Sequence, residues 1–319
     1  MLKILVLGAG ATGGYFGGRL AQAAQSNKAD IDVQFLVRPK RAELLKSDGL
    51  RVESPQGNFT VPVRTVLHTE LKPEHDLVLL SCKAYDLDSS ILSVYPALRP
   101  DTYLLPLLNG LAHYDRLDQE FGARRILGGS CAIAGTLSPQ GVVRQLSDLQ
   151  RITFGLRPDN DSAAKSVLDR LALAYQATPV EVRYSDDVLT EIWEKYLMLA
   201  SLAGMTCLMR SAVGDIVSTD DGDALMRRML AECVSAAQHA GKPPRPQALD
   251  ASRNMLTMKG SNFTASMLRD LESGAQTEAD HIVGDMLSRA RAAGSDATML
   301  QAAWVHLKAR DARRKRESA

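Results

Sequence analysis

The four cysteines among 319 residues lie far apart, at Cys82, Cys131, Cys207 and Cys233. They form no CxxC pair, which argues against a structural zinc site and against a disulfide framework. A reducing, cytoplasmic setting is the expectation. Net charge is also nearly absent. The 38 basic and 37 acidic side chains leave +1, so no global field recruits nucleic acid or an anionic membrane, and partners must be argued from a site. Long apolar runs are missing too. The longest uncharged stretch, Tyr196 to Met209, includes Ser, Gly and Thr and falls short of the roughly 20 residues that span a bilayer. It reads as a buried helix. The apolar run that follows Met1-Leu2-Lys3 ends at Gly8, too short for the core of a signal peptide with its cleavage site. There is no internal repeat and no low-complexity tract, and the Arg313-Arg314-Lys315-Arg316 run reads as a solvated helix end.

What is present is an ordinary enzyme-like composition, 45% hydrophobic and 24% charged, in a chain long enough for two domains. The first half alternates short apolar runs with helical segments, as βαβ units on a mostly parallel sheet do. Strands are expected at Lys3 to Leu7, Asp32 to Val37, Asp76 to Ser81, Thr102 to Leu107 and Ile126 to Gly128. The middle ones are almost continuously apolar, as strands buried on both faces should be. Antiparallel additions on tight turns are expected around Gly57-Asn58 and around Gln140-Gly141. A helix from Ser162 to Tyr175 and a strand from Thr178 to Val182 close the first domain. From Ser185 onward the pattern is consecutive helices, with Ser185-Asp186-Asp187 as an N-cap cluster and Gly241-Lys242-Pro243-Pro244 as a break. The expected architecture is therefore α/β: a Rossmann-type doubly wound sheet over 1–184, then an all-helical domain over 185–319.

Leu5-Val6-Leu7 runs directly into Gly8-Ala9-Gly10-Ala11-Thr12-Gly13-Gly14, a GxGxxG with a strand before it and a helix after it. In that context Gly8 permits the tight turn, Gly10 lets the backbone approach a pyrophosphate and Gly13 lets the helix pack on the sheet. The N–H groups of the first turn, at Ala11 and Thr12, face the phosphates at the positive end of the helix dipole. The second strand is followed by Arg38, Pro39, Lys40 and Arg41, where an NAD-preferring fold usually carries Asp or Glu for the ribose hydroxyls. Arg38, first after the strand, suits a 2′-phosphate and therefore NADPH. Asp30 and Asp32 stand at the opposite end of that strand.

Ligands in a doubly wound sheet lie beyond the carboxyl ends of the strands. Lys83 and Asn109-Gly110 follow two such ends; each residue is open to a functional or a structural reading. Lys195 sits at the edge of the uncharged helix and shares a face with Ile192, Leu199 and Leu202. A desolvated lysine has a lowered pKa and suits donation of a proton to a carbonyl oxygen as hydride arrives at the carbon. The other reading is an ammonium that snorkels to water past an apolar stem.

With these residues in view, the chain resembles the ketopantoate reductase family, 2-dehydropantoate 2-reductases that use NADPH. The segments GAGATGGYFGGRLA, SCKAYD with Lys83, Asn109-Gly110, IWEKYL with Lys195, and SMLRDLESGAQTEAD occur in the family's order and approximate spacing across nearly the whole chain. The resemblance implies a Rossmann domain followed by a helical one, with substrate in the cleft between them. It implies that Lys195 matches the catalytic lysine, Asn109 an asparagine near nicotinamide and substrate, and Lys83 a lysine at the cofactor crevice. Ser266 matches a substrate-contacting serine and Glu278 an active-site glutamate, whose carboxylate would offset part of the desolvation of the lysine. A homodimer is also implied, and Met198, Met205, Met209, Met226 and Met229 are candidates for its surface or for the core.

One departure bears on the substrate. The family's asparagines one and two helical turns after the lysine are here Leu199 and Ala203, a loss of about 0.5 to 3 kcal/mol per missing hydrogen bond in a buried site. Ser201 and Thr206 are nearby polar side chains. The leading expectation is reduction of ketopantoate to pantoate. A more apolar 2-keto acid or ketone is the same-class rival, and a noncatalytic NADPH-binding regulator or redox sensor is the rival from another class.

Overall fold

Apolar strands that lead into short polar turns and amphipathic helices assemble in the first half as the alternation requires. The structure, a computed structural model, describes residues 1–318. Its first half runs β1 (Leu2–Leu7), α1 (Ala11–Gln25), β2 (Ile31–Leu36), α2 (Pro39–Asp48), β3 (Leu50–Glu53), β4 (Phe59–Val61), β5 (Arg64–Val66), β6 (Leu77–Leu80), α3 (Leu87–Val94), β7 (Tyr103–Pro106), α4 (Ala112–Phe121), β8 (Gly128–Leu137), β9 (Val143–Gly155), α5 (Ser162–Gln176) and β10 (Glu181–Tyr184). The second half runs α6 (Val188–Met209), α7 (Val213–Val217), α8 (Gly222–His239), α9 (Pro246–Leu256), α10 (Ser266–Glu272), a π-helical turn (Asp280–Gly284) that continues into α11 (Asp285–Ala292), and α12 (Thr298–Ser318).

The chain divides into two compact units. One comprises Met1–Leu108 and His113–Val188; the other comprises Asn109–Ala112 and the chain from Leu189 onward. The sequence places the division at 184, four residues earlier. Ser185 stays with the first unit because its N–H bonds the Phe154 carbonyl at 2.9 Å, and its own carbonyl lies where a Cβ on Gly155 would be. The assignment of Asn109–Ala112 to the helical unit has no local sequence signal.

The main sheet of the first unit has the order β5-β2-β1-β6-β7, with every pairing parallel. The order reverses between β1 and β6, and the carboxyl ends of these strands open the crevice of a doubly wound sheet. The sheet's strands are apolar because helices and a second sheet cover its faces: Ile4, Val6, Val33, Phe35, Leu77, Leu79 and Leu105 pack into one core with Phe16 and Leu20 of α1 and Ile152 and Phe154 of β9.

The second sheet, β10-β9-β3-β4 with β8 also on β9, contains both expected hairpins, β3-β4 and β8-β9, antiparallel. Their assembly into one sheet by parallel pairings β3-β9 and β10-β9 is visible only in three dimensions. Two expected strands move. Ile126 makes a single parallel bridge to Leu104, after which the chain leaves the main sheet and Gly128 begins the long β8. The final strand starts at Glu181 rather than Thr178, because Thr178 closes α5 with both its N–H (2.9 Å) and its hydroxyl (2.7 Å) on the Tyr175 carbonyl.

In the helical unit, the uncharged part of α6 from Tyr196 to Cys207 is buried except at Met198 and Leu199, as a stretch with no polar face must be. No described helix is long and apolar enough to cross a membrane. Met205, Met226 and Met229 are fully buried, whereas Met209 is exposed, so most of the methionine stripe is core. Gly204 makes this packing possible: a Cβ there would stand 2.8 Å from the Met229 methyl. Burial pushes the Cys207 and Cys233 thiols up to about 12, which leaves them as small apolar fillers at neutral pH. The helix break at 241–244 falls between α8 and α9, and the arginines near the end of α12 lie on its largely exposed last turns.

Candidate active site

In the first unit, the glycine loop does what its spacing demands. Gly8 has φ +87°, a conformation that side chains strain against, and its N–H bonds the Leu36 carbonyl at 2.9 Å. A Cβ on Gly13 would stand 2.5 Å from the Gly8 carbonyl and 2.2 Å from Ser81 Oγ, so α1 lies as close to the sheet as backbone allows. Ser81 Oγ in turn donates to the Leu7 carbonyl at 2.8 Å, tying the ends of β1 and β6 together. Gly10 differs from both. A Cβ there would meet no protein atom within 4 Å, and as the N-cap of α1 it has no side-chain cap, with no acidic residue in the first turn. The N–H groups of Ala11, Thr12 and Gly13 therefore form the uncompensated positive end of a fifteen-residue helix, the preferred position for a phosphate.

This loop borders a cavity of about 690 Å³ lined by Leu7, Gly8, Ala9, Gly10, Val37, Arg38, Arg41, His68, Thr69, Ser81, Cys82 and Ser90, among others. Its size and mixed lining suit one half of a dinucleotide. Arg38 is exposed, stands at the N-cap position of α2 without a side-chain capping bond and lines the cavity, whereas Lys40 does not line it. Asp32, at the start of β2, pairs with Arg64 at 2.6 Å.

Arg41, which the sequence reading passed over as one of a charged run, is half-buried and spans two loops. Its guanidinium donates to the Ala9 carbonyl and to the Gly141 carbonyl, each at 2.9 Å. It braces the glycine loop against the β8-β9 turn. No local pattern distinguishes it from Lys40, since its acceptors lie far away in sequence. Lys83 is half-buried at the N-cap of the short turn Ala84–Asp86 and does not line this cavity.

In the helical unit, Lys195 is half-buried on α6 between the buried Glu194 and Tyr196. Its ammonium donates to Asn109 Oδ1 at 2.9 Å, so the two residues stand together although 86 positions separate them. Glu194, one residue earlier, points elsewhere: its carboxylate accepts from the Arg245 backbone N–H and from Arg245 Nε, both at 2.8 Å. Lys195, Met198 and Leu199 share one face of α6 and are all half-buried, so the side chains one turn along from the ammonium are apolar. The hydroxyls of Ser201 and Thr206 donate to the Leu197 and Leu202 carbonyls, each at 2.7 Å. They are engaged by their own helix and do not replace the asparagines absent at Leu199 and Ala203. Ala203 itself is fully buried.

Glu278 is buried at the entry to the π-helical turn and acts electrostatically on His281, one turn on. Its neighbour Thr277 is buried as well, and the Thr277 hydroxyl has no hydrogen-bond partner among the described residues. Ser266 is exposed at the first position of α10. His281 was not singled out from sequence. Its ring and carbonyl crowd Gly110, where a Cβ would stand 3.2 Å from each. Burial draws its imidazole below the usual range, against the opposing pull of Glu278, Asp285 and the Asn109 backbone. A single π turn is frequent at functional sites, and the sequence carries no cue for it.

Two family models match the chain, Ketopantoate reductase PanE/ApbA over residues 4–159 and Ketopantoate reductase PanE/ApbA C terminal over 187–311. An uncharacterized oxidoreductase YkpB of Bacillus subtilis is 33% identical over 306 residues, spanning 96% of this chain and 98% of that protein. The crystal structure of 2-dehydropantoate 2-reductase from Geobacter metallireducens superposes with a TM-score of 0.82 at 27% identity, over 96% of this chain and 99% of that one. The fold is also that of a D-mandelate dehydrogenase solved with NADH and anilino(oxo)acetate, with a TM-score of 0.83 at 20% identity over 98% of this chain and all of that one. With the glycine loop on a doubly wound sheet and a lysine-asparagine pair in a helical unit, the chain belongs to the ketopantoate reductase family and is an oxidoreductase acting on a keto or hydroxy group.

Proposed function

We propose that this protein reduces a small 2-oxo acid to the 2-hydroxy acid with NADPH, and that Lys195 is the proton donor. The observation that carries this reading is the Lys195 ammonium, half-buried on an apolar helix and held at 2.9 Å by the Asn109 carboxamide. A cation in that setting polarises a carbonyl oxygen and then gives it a proton as the carbon is reduced. The bound dinucleotide supplies the hydride. Asn109 keeps the ammonium aimed, Glu278 sets the local field, and Ser266 and Thr277 offer hydroxyls to the substrate's polar groups. Lys83 is assigned to the cofactor by its place after β6 and by the resemblance alone.

For the cofactor, the open space at Gly10, the uncapped N-terminus of α1 and the exposed Arg38 fit a pyrophosphate and a 2′-phosphate. Arg38→Ala is expected to weaken NADPH binding roughly tenfold to a hundredfold, the value of a charge-assisted hydrogen bond, while NADH binding changes little. Fluorescence titration of both dinucleotides measures this, and equal losses would sink the assignment of Arg38.

Ketopantoate is the first substrate reading, by family. A second reading, a 2-oxo acid with a branched or aromatic apolar substituent, is favoured by the apolar side chains of Met198 and Leu199 and by the engaged hydroxyls of Ser201 and Thr206. The test is NADPH consumption with ketopantoate and with a panel of 2-oxo acids graded in polarity. A kcat/KM highest for ketopantoate selects the first reading, and one that rises with apolar area selects the second. No turnover with any of them refutes the reductase proposal.

A further inference from the structure

Lys195 and Tyr196 are consecutive on α6 and reach in different directions. Lys195 bonds the Asn109 side chain. The fully buried Tyr196 hydroxyl lies 2.8 Å from the Ile282 carbonyl and 2.9 Å from Asp285 Oδ2, so it anchors the π-helical turn, whose widened ring leaves carbonyls available to a side chain. Between those two anchors stands His281. It is hydrogen-bonded to the Asn109 backbone, and its ring and carbonyl occupy the space beside Gly110, which holds φ +80°. The contacts close a ring that runs Lys195, Asn109, His281, the π turn and Tyr196, and returns along one peptide bond to Lys195. Every member belongs to the helical unit.

We propose that His281 is a positioning residue that seats the Asn109–Gly110 turn and thereby sets the carboxamide that holds the Lys195 ammonium. A side chain can be aimed only as well as its backbone is fixed, and Gly110, without a Cβ, supplies little stiffness of its own. His281 supplies it from one side by packing and from the other by its hydrogen bond. Glu278, just before the π turn, and Asp285, just after it, act on His281, with Arg289 on the helix that follows, and Lys195 bonds the Asn109 side chain from α6. A neutral imidazole is sufficient for the role, since one ring N–H reaches the Asn109 carbonyl.

This inference rests on Lys195 being the proton donor, and its test includes a readout independent of turnover. The pH midpoint of Lys195 acylation by an amine-selective reagent, followed by peptide mass spectrometry, reports whether the ammonium still has its acceptor. In His281→Ala the midpoint is expected to move down, because an ammonium that loses a hydrogen-bond acceptor is more easily discharged. The same variant should lose roughly tenfold to a hundredfold in kcat, the effect of a displaced catalytic group, with the dinucleotide KM unchanged. His281→Gln, which keeps an N–H donor, should recover most of both. Gly110→Ala presses a methyl against the same ring and should move the midpoint in the same direction, so the proposal stays open to refutation even if His281→Ala does not fold. A wild-type midpoint in the folded His281→Ala variant, in Gly110→Ala, or a His281→Gln no better than His281→Ala, would overturn it. Absence of turnover by the wild-type protein with every 2-oxo acid would instead count against the reductase proposal, and the acylation midpoints would still decide the role of His281.

Discussion

Lys195→Ala is expected to lose 10² to 10⁴ in kcat, the range for removal of a general acid, with dinucleotide affinity intact. The loss follows from the surroundings. After Lys195 the ionisable side chains of α6 are Tyr196, whose buried hydroxyl is held on the Ile282 carbonyl and Asp285, and Cys207, whose thiol burial pushes up to about 12. The hydroxyls of Ser201 and Thr206 are bonded to their own helix, so no neighbour takes over the proton. Lys195→Arg should remain nearly as poor, since a guanidinium keeps its protons at any accessible pH. With the ammonium as the proposed donor, kcat/KM should fall at alkaline pH as Lys195 loses its proton, and this limb should vanish in Lys195→Ala. Single-turnover NADPH absorbance over a pH series measures both. Wild-type turnover in Lys195→Ala with NADPH bound would remove Lys195 from the mechanism.

The second large effect separates two glycines of one loop. Gly13→Val places a branched side chain where even a Cβ stands 2.5 Å from a backbone carbonyl. α1 must move off the sheet, at a cost at or above the upper end of the roughly 1–3 kcal/mol usual for overpacking. Both thermal stability and NADPH binding should drop. Gly10→Ala meets no protein atom and sits at φ −82°, which any residue adopts, so its melting temperature should match the wild type. Its NADPH affinity should nevertheless fall by at least about tenfold, because the methyl enters the space reserved for the pyrophosphate. Differential scanning fluorimetry with a binding titration distinguishes the two. A Gly10→Ala protein that binds NADPH like the wild type would mean that the loop is a turn and not a phosphate cradle.

Much of this was legible in sequence because it is local. The strand, glycine loop and helix of residues 2–25 are encoded by neighbours, and so is the uncharged run that becomes α6. Both hairpins followed from glycine turns between β-prone segments. What was misplaced involved partners far along the chain. Ile126 looks like a strand residue, but β8 pairs with β9 and leaves only one bridge on the main sheet. The parallel pairings that join β3 and β10 to β9 likewise have no sequence period. The methionines after Lys195 were open to a surface or a core reading until Met205, Met226 and Met229 proved fully buried.

The candidate site divides in the same way. Lys195 stood out alone, as a charge on an apolar helical face, and the order of motifs placed it in a family. Tertiary structure decided what touches it. Asn109 meets its ammonium across 86 residues of chain, Arg41 ties the glycine loop to a β-turn 100 residues further along the chain from itself, and His281 packs on Gly110 from a π turn. Periodicity and turn chemistry report on residues within a few positions of one another, whereas a hydrogen bond or a close approach between distant segments leaves no period behind. The sequence alone therefore determined the two-part architecture and the glycine loop, and singled out Lys195. Only the packed chain decided which groups stand around that lysine.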